Sequence, residues 1–195
     1  LRRYARAAGS AVSGGPDSLA LLLMAHAAMP ERIAAATVDH GLRPEAAAEA
    51  EFVAMICGEL GVLHTMLRPE EPITGSVQAS ARAARYRLLE NHASDAGCSW
   101  IATAHHADDQ LETVLMRIAR GAGISGLSAV RARQGKIIRP LLDSRKSELE
   151  AICAAAMVEP VRDPSNDNSD FDRVAMRKWL AETAHPFDPL RAVRS

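Results

Sequence analysis

The chain has 195 residues and a net charge of −1, with 48% apolar and 24% charged residues. Those values fit one globular domain and exclude a disordered or uniformly basic chain. No apolar run reaches the roughly 18 to 20 residues that span a bilayer, and the arginine-bearing stretch Leu1 to Ala8 lacks the apolar core of a secretory leader, so a cytoplasmic location is expected.

The elements alternate along the chain. Ser10 to Ser13 predicts a short first strand, ended by Gly14-Gly15. Pro16 to Ala28 predicts a helix with proline in its first turn, where a missing N–H costs least. Ile33 to Val38 reads as a second, buried strand. Pro44 to Leu60 is an Ala- and Glu-rich helix stopped by Gly61, and Val62 to Leu67 is a third strand. Ser76 to Ala96 predicts a long helix with Ser76 as N-cap and Gly97 just past its end. Trp100 to Ala104 is a fourth strand, followed by a helix from Ala107 to Arg120 that Gly121 ends. Ile137 to Leu141 is a fifth strand, Ser144 to Met157 a helix capped by Ser144, and Asp172 to Ala184 the last helix. One domain over residues 1–185 is expected, with 186–195 a tail or a linker to further domains.

Strands separated by helices of this length predict an α/β fold: a doubly wound parallel sheet with helices on both faces. Ligands of such sheets bind beyond the carboxyl ends of the strands. Three polar clusters fall there: Ser13 to Ser18 after the first strand, Asp39 to Arg43 after the second, and His105 to Asp109 after the fourth.

The loop Ser13-Gly14-Gly15-Pro16-Asp17-Ser18 opens a helix. Its glycines let backbone approach an anion, and the helix start offers free N–H groups and a positive dipole end. Asp17 beside a phosphate makes sense with a metal between them, so the loop points to a polyphosphate held with Mg²⁺. Gly-Lys-Ser/Thr is absent, so it is not a Walker A loop. Charge is uneven: residues 117–146 hold eight Lys/Arg against Asp143 alone, which allows a basic face for a polyanion. Cys57, Cys98 and Cys153 stand apart and read as buried structural thiols.

Ser-Gly-Gly-x-Asp-Ser resembles the signature loop of the ATP pyrophosphatase superfamily. Six further stretches follow in order: Val38 to Arg43, Ala81 to Tyr86, Thr103 to Thr113, Arg120 to Leu127, Arg139 to Leu142 and Asp163 to Asn166. Together they resemble the tRNA(Ile)-lysidine synthetases across residues 9–177. The resemblance implies an adenine nucleotide alpha hydrolase-like, Rossmann-like fold. It also implies a ligase that uses ATP to adenylate the wobble cytidine of tRNA(Ile) bearing a CAU anticodon, then joins free L-lysine to it, releasing AMP and pyrophosphate. Both Arg173 and Arg177 match the family pattern, but Val174 stands where asparagine is usual.

Roles follow by position. Ser13, Gly14, Gly15, Pro16, Asp17 and Ser18 would clamp ATP phosphates, with Asp17 toward Mg²⁺. Backbone near Val38 and His40 would take the adenine and ribose. Arg82 and Arg85, three apart on one helix, share a face and would offset phosphate charge. Asp109 and Glu112, at i and i+3 beyond the fourth strand, would point together into the cleft to hold and deprotonate the lysine amine. Asp108 would cap their helix. His105 would contact nucleotide or cytidine, Arg120 the RNA backbone, and Ser165, Asn166 and Arg173 the far side of the cleft. His105 and His106 lack the His-x-x-x-His face of a zinc enzyme. A homodimer is left open. The rival readings are a tRNA thiolase of the same superfamily, disfavoured by Pro16 where lysine is common and by three cysteines isolated from one another in the sequence, and an ATP-binding module without catalysis.

Overall fold

A computed structural model describes residues 8–39, 41, 45–69, 77–123, 130–161 and 172–193. Its strands are β1 (Ala8–Ala11), β2 (Ile33–Val38), β3 (Leu63–Leu67), β4 (Trp100–Ala102), β5 (Arg133–Gln134) and β6 (Ile137–Ile138). Its helices are α1 (Pro16–Ala28), α2 (Glu45–Glu59), α3 (Val77–Asp95), α4 (Ala107–Ala119), α5 (Lys146–Ala155), α6 (Asp172–Glu182) and α7 (Pro189–Val193). The strands form one sheet in the order β3-β2-β1-β4-β6-β5.

β1 pairs in parallel with β2 on one side and β4 on the other. The chain winds outward through β2 and β3, then returns across β1 to β4. The order therefore reverses between β1 and β4, and a crevice opens there beyond the strand ends. The first and third polar clusters leave the sheet on either side of that crevice.

The two faces of β2 feed two separate cores, because successive side chains of a strand alternate. Ile33 and Ala35 join Leu19, Leu22, Val53, Ile56, Leu149 and others from α1, α2 and α5. Ala34 and Ala36 join Leu89, Ala93 and Ile101 under α3. The small alanines let helices approach closely on both sides. Leu19 and Leu22 are fully buried, a burial that stabilises by about 1.5–3 kcal/mol each.

The sheet departs from pure parallel pairing at one edge. β5 pairs antiparallel with β6, through a tight turn in which Gly135 has φ 59°. The expected fifth strand, Ile137 to Leu141, is accordingly cut to two residues. Arg139 still donates its N–H to the Ala132 carbonyl, but Pro140 has no N–H to continue the ladder.

Two caps also differ from expectation. α5 starts at Lys146 rather than Ser144: the Glu148 carboxylate accepts the Arg145 N–H at 2.7 Å, and Asp108 accepts the Lys146 N–H at 2.8 Å. Asp108 thus closes the start of α5, not of its own helix. There Asp109 reaches back to the His106 N–H at 3.2 Å. Within the segment expected as a tail, Pro189–Val193 forms α7, which packs on α4, and Asp188 pairs with Arg145 at 2.8 Å. Ser76 lies outside the described residues. Among them no helix is long and apolar enough to cross a membrane.

Candidate active site

Gly14 shapes the loop that leaves β1. Its φ of 85° is left-handed, where a side chain is strained, and a Cβ there would stand 3.5 Å from Val161. Val161 in turn donates its N–H to the Gly14 carbonyl at 3.0 Å, fixing the segment after α5 against the loop. The Ser18 hydroxyl folds back on the loop, donating to the Gly15 carbonyl at 3.0 Å and accepting the Ser13 N–H at 3.1 Å. Gly15 then opens α1 with no side-chain cap, and Pro16 occupies the first turn. N–H groups at that start remain for an anion.

A cavity of about 260 Å³ lies at the β1/β4 crevice. Most of the predicted set lines it: Ser13, Gly15, Asp17 and Ser18 from the loop, Arg82 and Arg85 from α3, His105 and Asp109 from the β4 side, and Arg173 from α6. Tyr86 and Thr103, which sequence reasoning passed over, complete the wall. Tyr86 lies one turn past Arg82, accepts a hydrogen bond from its guanidinium at 3.3 Å and lies 5.1 Å beneath it, so the phenol aims the cation. The i, i+4 spacing was a legible signal.

The two histidines after β4 sit in opposite fields. Thr103 Oγ1 meets His105 Nδ1 at 3.1 Å. Burial first, then Arg139, Arg82 and Arg85, push the His105 imidazole down to about 4 against the opposing pull of Asp109. His105 is therefore neutral at pH 7, with one polar edge for a base or ribose. His106 is buried amid carboxylates: Nε2 lies 3.5 Å from Asp17 and 3.6 Å from Asp109, and Nδ1 3.5 Å from Asp108. Burial works to lower it, but Asp108, Asp17 and Asp109 outweigh burial and push it up to about 10.

Glu112 corrects one geometric expectation. It does not face the cleft beside Asp109. It is buried at 2% exposure and held by α6: Arg177 donates to both oxygens, at 2.8 and 3.2 Å, and Arg173 Nε lies 3.0 Å away. Buried under α6, the carboxylate is not among the walls of the cavity that would receive an amine. Arg177, earlier noted only as a family match, is the strongest of these contacts. Arg173 also donates to Thr113 at 3.0 Å, so α6 is stitched along α4.

The remaining predicted residues lie apart. Val38 ends β2, half-buried against the second core, and is not among the cavity's walls. Asp39 is buried and shapes the next turn, accepting the Gly41 N–H at 2.9 Å and Arg68 at 3.0 Å. Arg120 ends α4 and borders an apolar groove with Met116, Met176 and Trp179. His40, Ser165 and Asn166 lie outside the described residues. A second cavity of about 890 Å³ opens behind Asp17, walled by His106, Lys146, Glu150, Glu159 and Arg177.

Asp17 fits a hard dication. Its Oδ1 is buried with no hydrogen-bond partner among the described residues, and carboxylate oxygen is the donor Mg²⁺ takes. Among those residues no cluster of three His, Cys, Asp or Glu side chains is spaced to hold a metal alone. Mg²⁺ would thus share its coordination with phosphate oxygens and water, as that ion usually does.

Curated tRNA(Ile)-lysidine synthases of Novosphingobium aromaticivorans, Zymomonas mobilis subsp. mobilis and Rhodopseudomonas palustris are 46%, 47% and 48% identical to the chain. The matches cover 89%, 88% and 89% of it and 55%, 55% and 53% of those proteins. The chain thus spans about half the length of the curated relatives it matches. Two solved structures share the fold: a U34-tRNA thiolase from Methanococcus maripaludis (TM-score 0.77, 16% identity, 98% of this chain and 71% of that one) and an NH3-dependent NAD synthetase from Campylobacter jejuni (0.53, 15%, 99% and 84%). The PP-loop domain matches residues 3–184, and with the Ser13 to Ser18 loop seated at the sheet's switch point, the chain belongs to the PP-loop family.

Proposed function

We propose that this domain carries the ATP-dependent chemistry of a tRNA(Ile)-lysidine synthetase. The observation that carries the reading is the single cavity in which the loop after β1 meets Arg82, Arg85, His105, Asp109 and Arg173. Close similarity to lysidine synthases supports the choice of substrate.

The loop and the α1 start bind the β- and γ-phosphates through N–H groups, while the Ser13 and Ser18 hydroxyls hold the loop in shape. Arg82 and Arg85 face the α-phosphate, where charge builds as the cytidine carbonyl oxygen attacks and pyrophosphate departs. Asp17 would hold Mg²⁺, which would supply charge neutralisation at the phosphates. Neutral His105 donates or accepts one hydrogen bond at the edge of a base without competing for the phosphates. Asp109 holds the lysine ammonium and takes up its proton. The freed amine attacks the activated ring carbon, and AMP leaves. Glu112, locked by Arg173 and Arg177, sets the position of α6 rather than accepting that proton.

A thiolase reading is less well supported. Cys57, Cys98 and Cys153 are all buried and none is in a disulfide, and burial pushes the Cys57 thiol up to about 11. Burial withholds all three from the exposed position that sulfur transfer needs.

The test is incubation with Mg-ATP, lysine and an unmodified tRNA(Ile) transcript with a CAU anticodon. Pyrophosphate is followed in solution and lysidine by mass spectrometry. Lysidine formed by the unaltered chain and reduced at least about 100-fold in Asp17→Asn is the expected result. Pyrophosphate without lysidine moves the assignment to another adenylating enzyme. ATP binding with neither product, after addition of the C-terminal half of a relative, leaves a binding module.

A further inference from the structure

Two helix starts carry the carboxylates of this cleft, and one buried side chain stands between them. Asp17 belongs to the first turn of α1, Asp108 and Asp109 to the first turn of α4. The His106 ring, 3% exposed, lies 3.5 to 3.6 Å from all three. It is not among the walls of the 260 Å³ cavity, but it does wall the larger one behind Asp17. It therefore touches the carboxylates from the side away from the proposed nucleotide.

The anchoring of the three is unequal. Asp108 is also held by the Lys146 N–H at 2.8 Å. Asp109 is also held by the backbone N–H of His106 at 3.2 Å. Asp17 makes one ion pair among the described residues, through Oδ2 to His106 Nε2, and its Oδ1 is left without a partner. Remove the ring, and Asp108 and Asp109 keep their backbone anchors while Asp17 keeps none among the described residues. With two like charges opposite, Asp17 then swings toward solvent. A histidine suits the place because its planar ring presents nitrogens on two edges, one for Asp108 and one shared by Asp17 and Asp109.

We infer that His106 is a positioning residue: it fixes Asp17 of the nucleotide loop against α4 from behind the cleft, so that the free Asp17 oxygen meets the Mg²⁺ of Mg-ATP. The inference rests on the reading of the Ser13 to Ser18 loop as a polyphosphate site, and on neither the identity of the base nor that of the amine.

The test is a double-mutant cycle on binding. Calorimetry compares the unaltered chain, His106→Gln, Asp17→Asn and the double variant, with ATP in Mg²⁺ and with ATP in chelator. Groups that orient a metal ligand typically change metal affinity by about 10- to 100-fold when removed. His106→Gln is therefore expected to weaken Mg-ATP by about that factor and leave metal-free ATP unchanged. Adding Asp17→Asn to it is expected to cost little more, because His106 acts through Asp17. Should His106→Gln fail to fold, the same cycle is run in an Asp108→Asn background. There one opposing charge is gone and the amide oxygen still accepts the Lys146 N–H. Additive losses, or a loss equal with and without Mg²⁺, overturn the positioning role alone. An unaltered chain that does not bind Mg-ATP overturns the reading of the loop, and this inference with it.

Discussion

As the chain leaves β4 it has a cationic flank and an anionic flank, one residue apart. His105 turns toward the side where Arg82, Arg85 and Arg139 dominate, and burial among them pushes it down to about 4. His106 turns toward Asp17, Asp108 and Asp109, and these push it up to about 10. Extended backbone sends successive side chains to opposite sides, so the same imidazole serves once as a neutral hydrogen-bonding edge and once as a fixed cation. The protonation of each ring is set by its burial and by the charges that border its side, not by the residue type.

The largest expected effect comes from breaking the anionic flank. His106→Ala removes a buried ring from among three carboxylates; Asp17 and Asp108 are about a third exposed, so water takes up part of the loss, and about 3 kcal/mol, the low end for a broken buried pair, is expected. Urea unfolding measures it. Asp108→Asn placed beside it should restore part of the loss; a double variant no more stable than the single would mean that packing, not charge, is what His106 supplies. Because the folded value lies above the ordinary 6.5, the ring's stabilisation is fully present below pH 6.5 and is lost as pH rises toward 10. The variant should lack that alkaline decline.

A middle-sized effect lies one turn further along α4. Glu112→Gln keeps the shape but removes the charge that Arg177 and Arg173 share. Both guanidinium groups are more than a third exposed, so water takes up much of the loss, and about 1–3 kcal/mol is expected. Metal-free ATP affinity should move little, since Glu112 does not wall the cavity. A drop in nucleotide affinity as large as that of Asp17→Asn would return Glu112 to the cleft.

These residues also mark what was legible in the sequence. The loop, the bounds of Pro16–Ala28 and Ile33–Val38, and the meeting of the first and third polar clusters followed from local pattern and from the rule for open sheets. The partner of Glu112 did not. Asp109 and Glu112 share a helical face, but Arg173 and Arg177 are more than 60 positions away, and no local spacing announces that α6 will cover the second carboxylate and spare the first. The β5–β6 hairpin escaped for a different reason: two residues per strand is below any periodicity, and only Gly135 marks the turn. His106 was visible in the motif but not its role, since the motif alone does not say which of two neighbouring histidines faces arginines and which faces aspartates.

The smallest effect sharpens the cationic flank. His105 has a folded value near 4 against the ordinary 6.5, so between those values the unfolded chain binds more protons than the folded one. Stability therefore rises with pH across that window and is lost as pH falls through it, the opposite slope to that of His106. Most of the change lies below pH 6.5. Between pH 7 and pH 6 the linkage amounts to less than about 1 kcal/mol. Urea midpoints of the unaltered chain and of His105→Gln at those two values isolate it, because every other titrating group is common to both. The unaltered chain should lose the larger amount on acidification. Equal losses would mean that His105 titrates alike in the folded and unfolded chain, and a smaller loss in the unaltered chain that it is already protonated in the folded state; a positive charge would then stand beside Arg82 and Arg85, favouring a phosphate there over a neutral base.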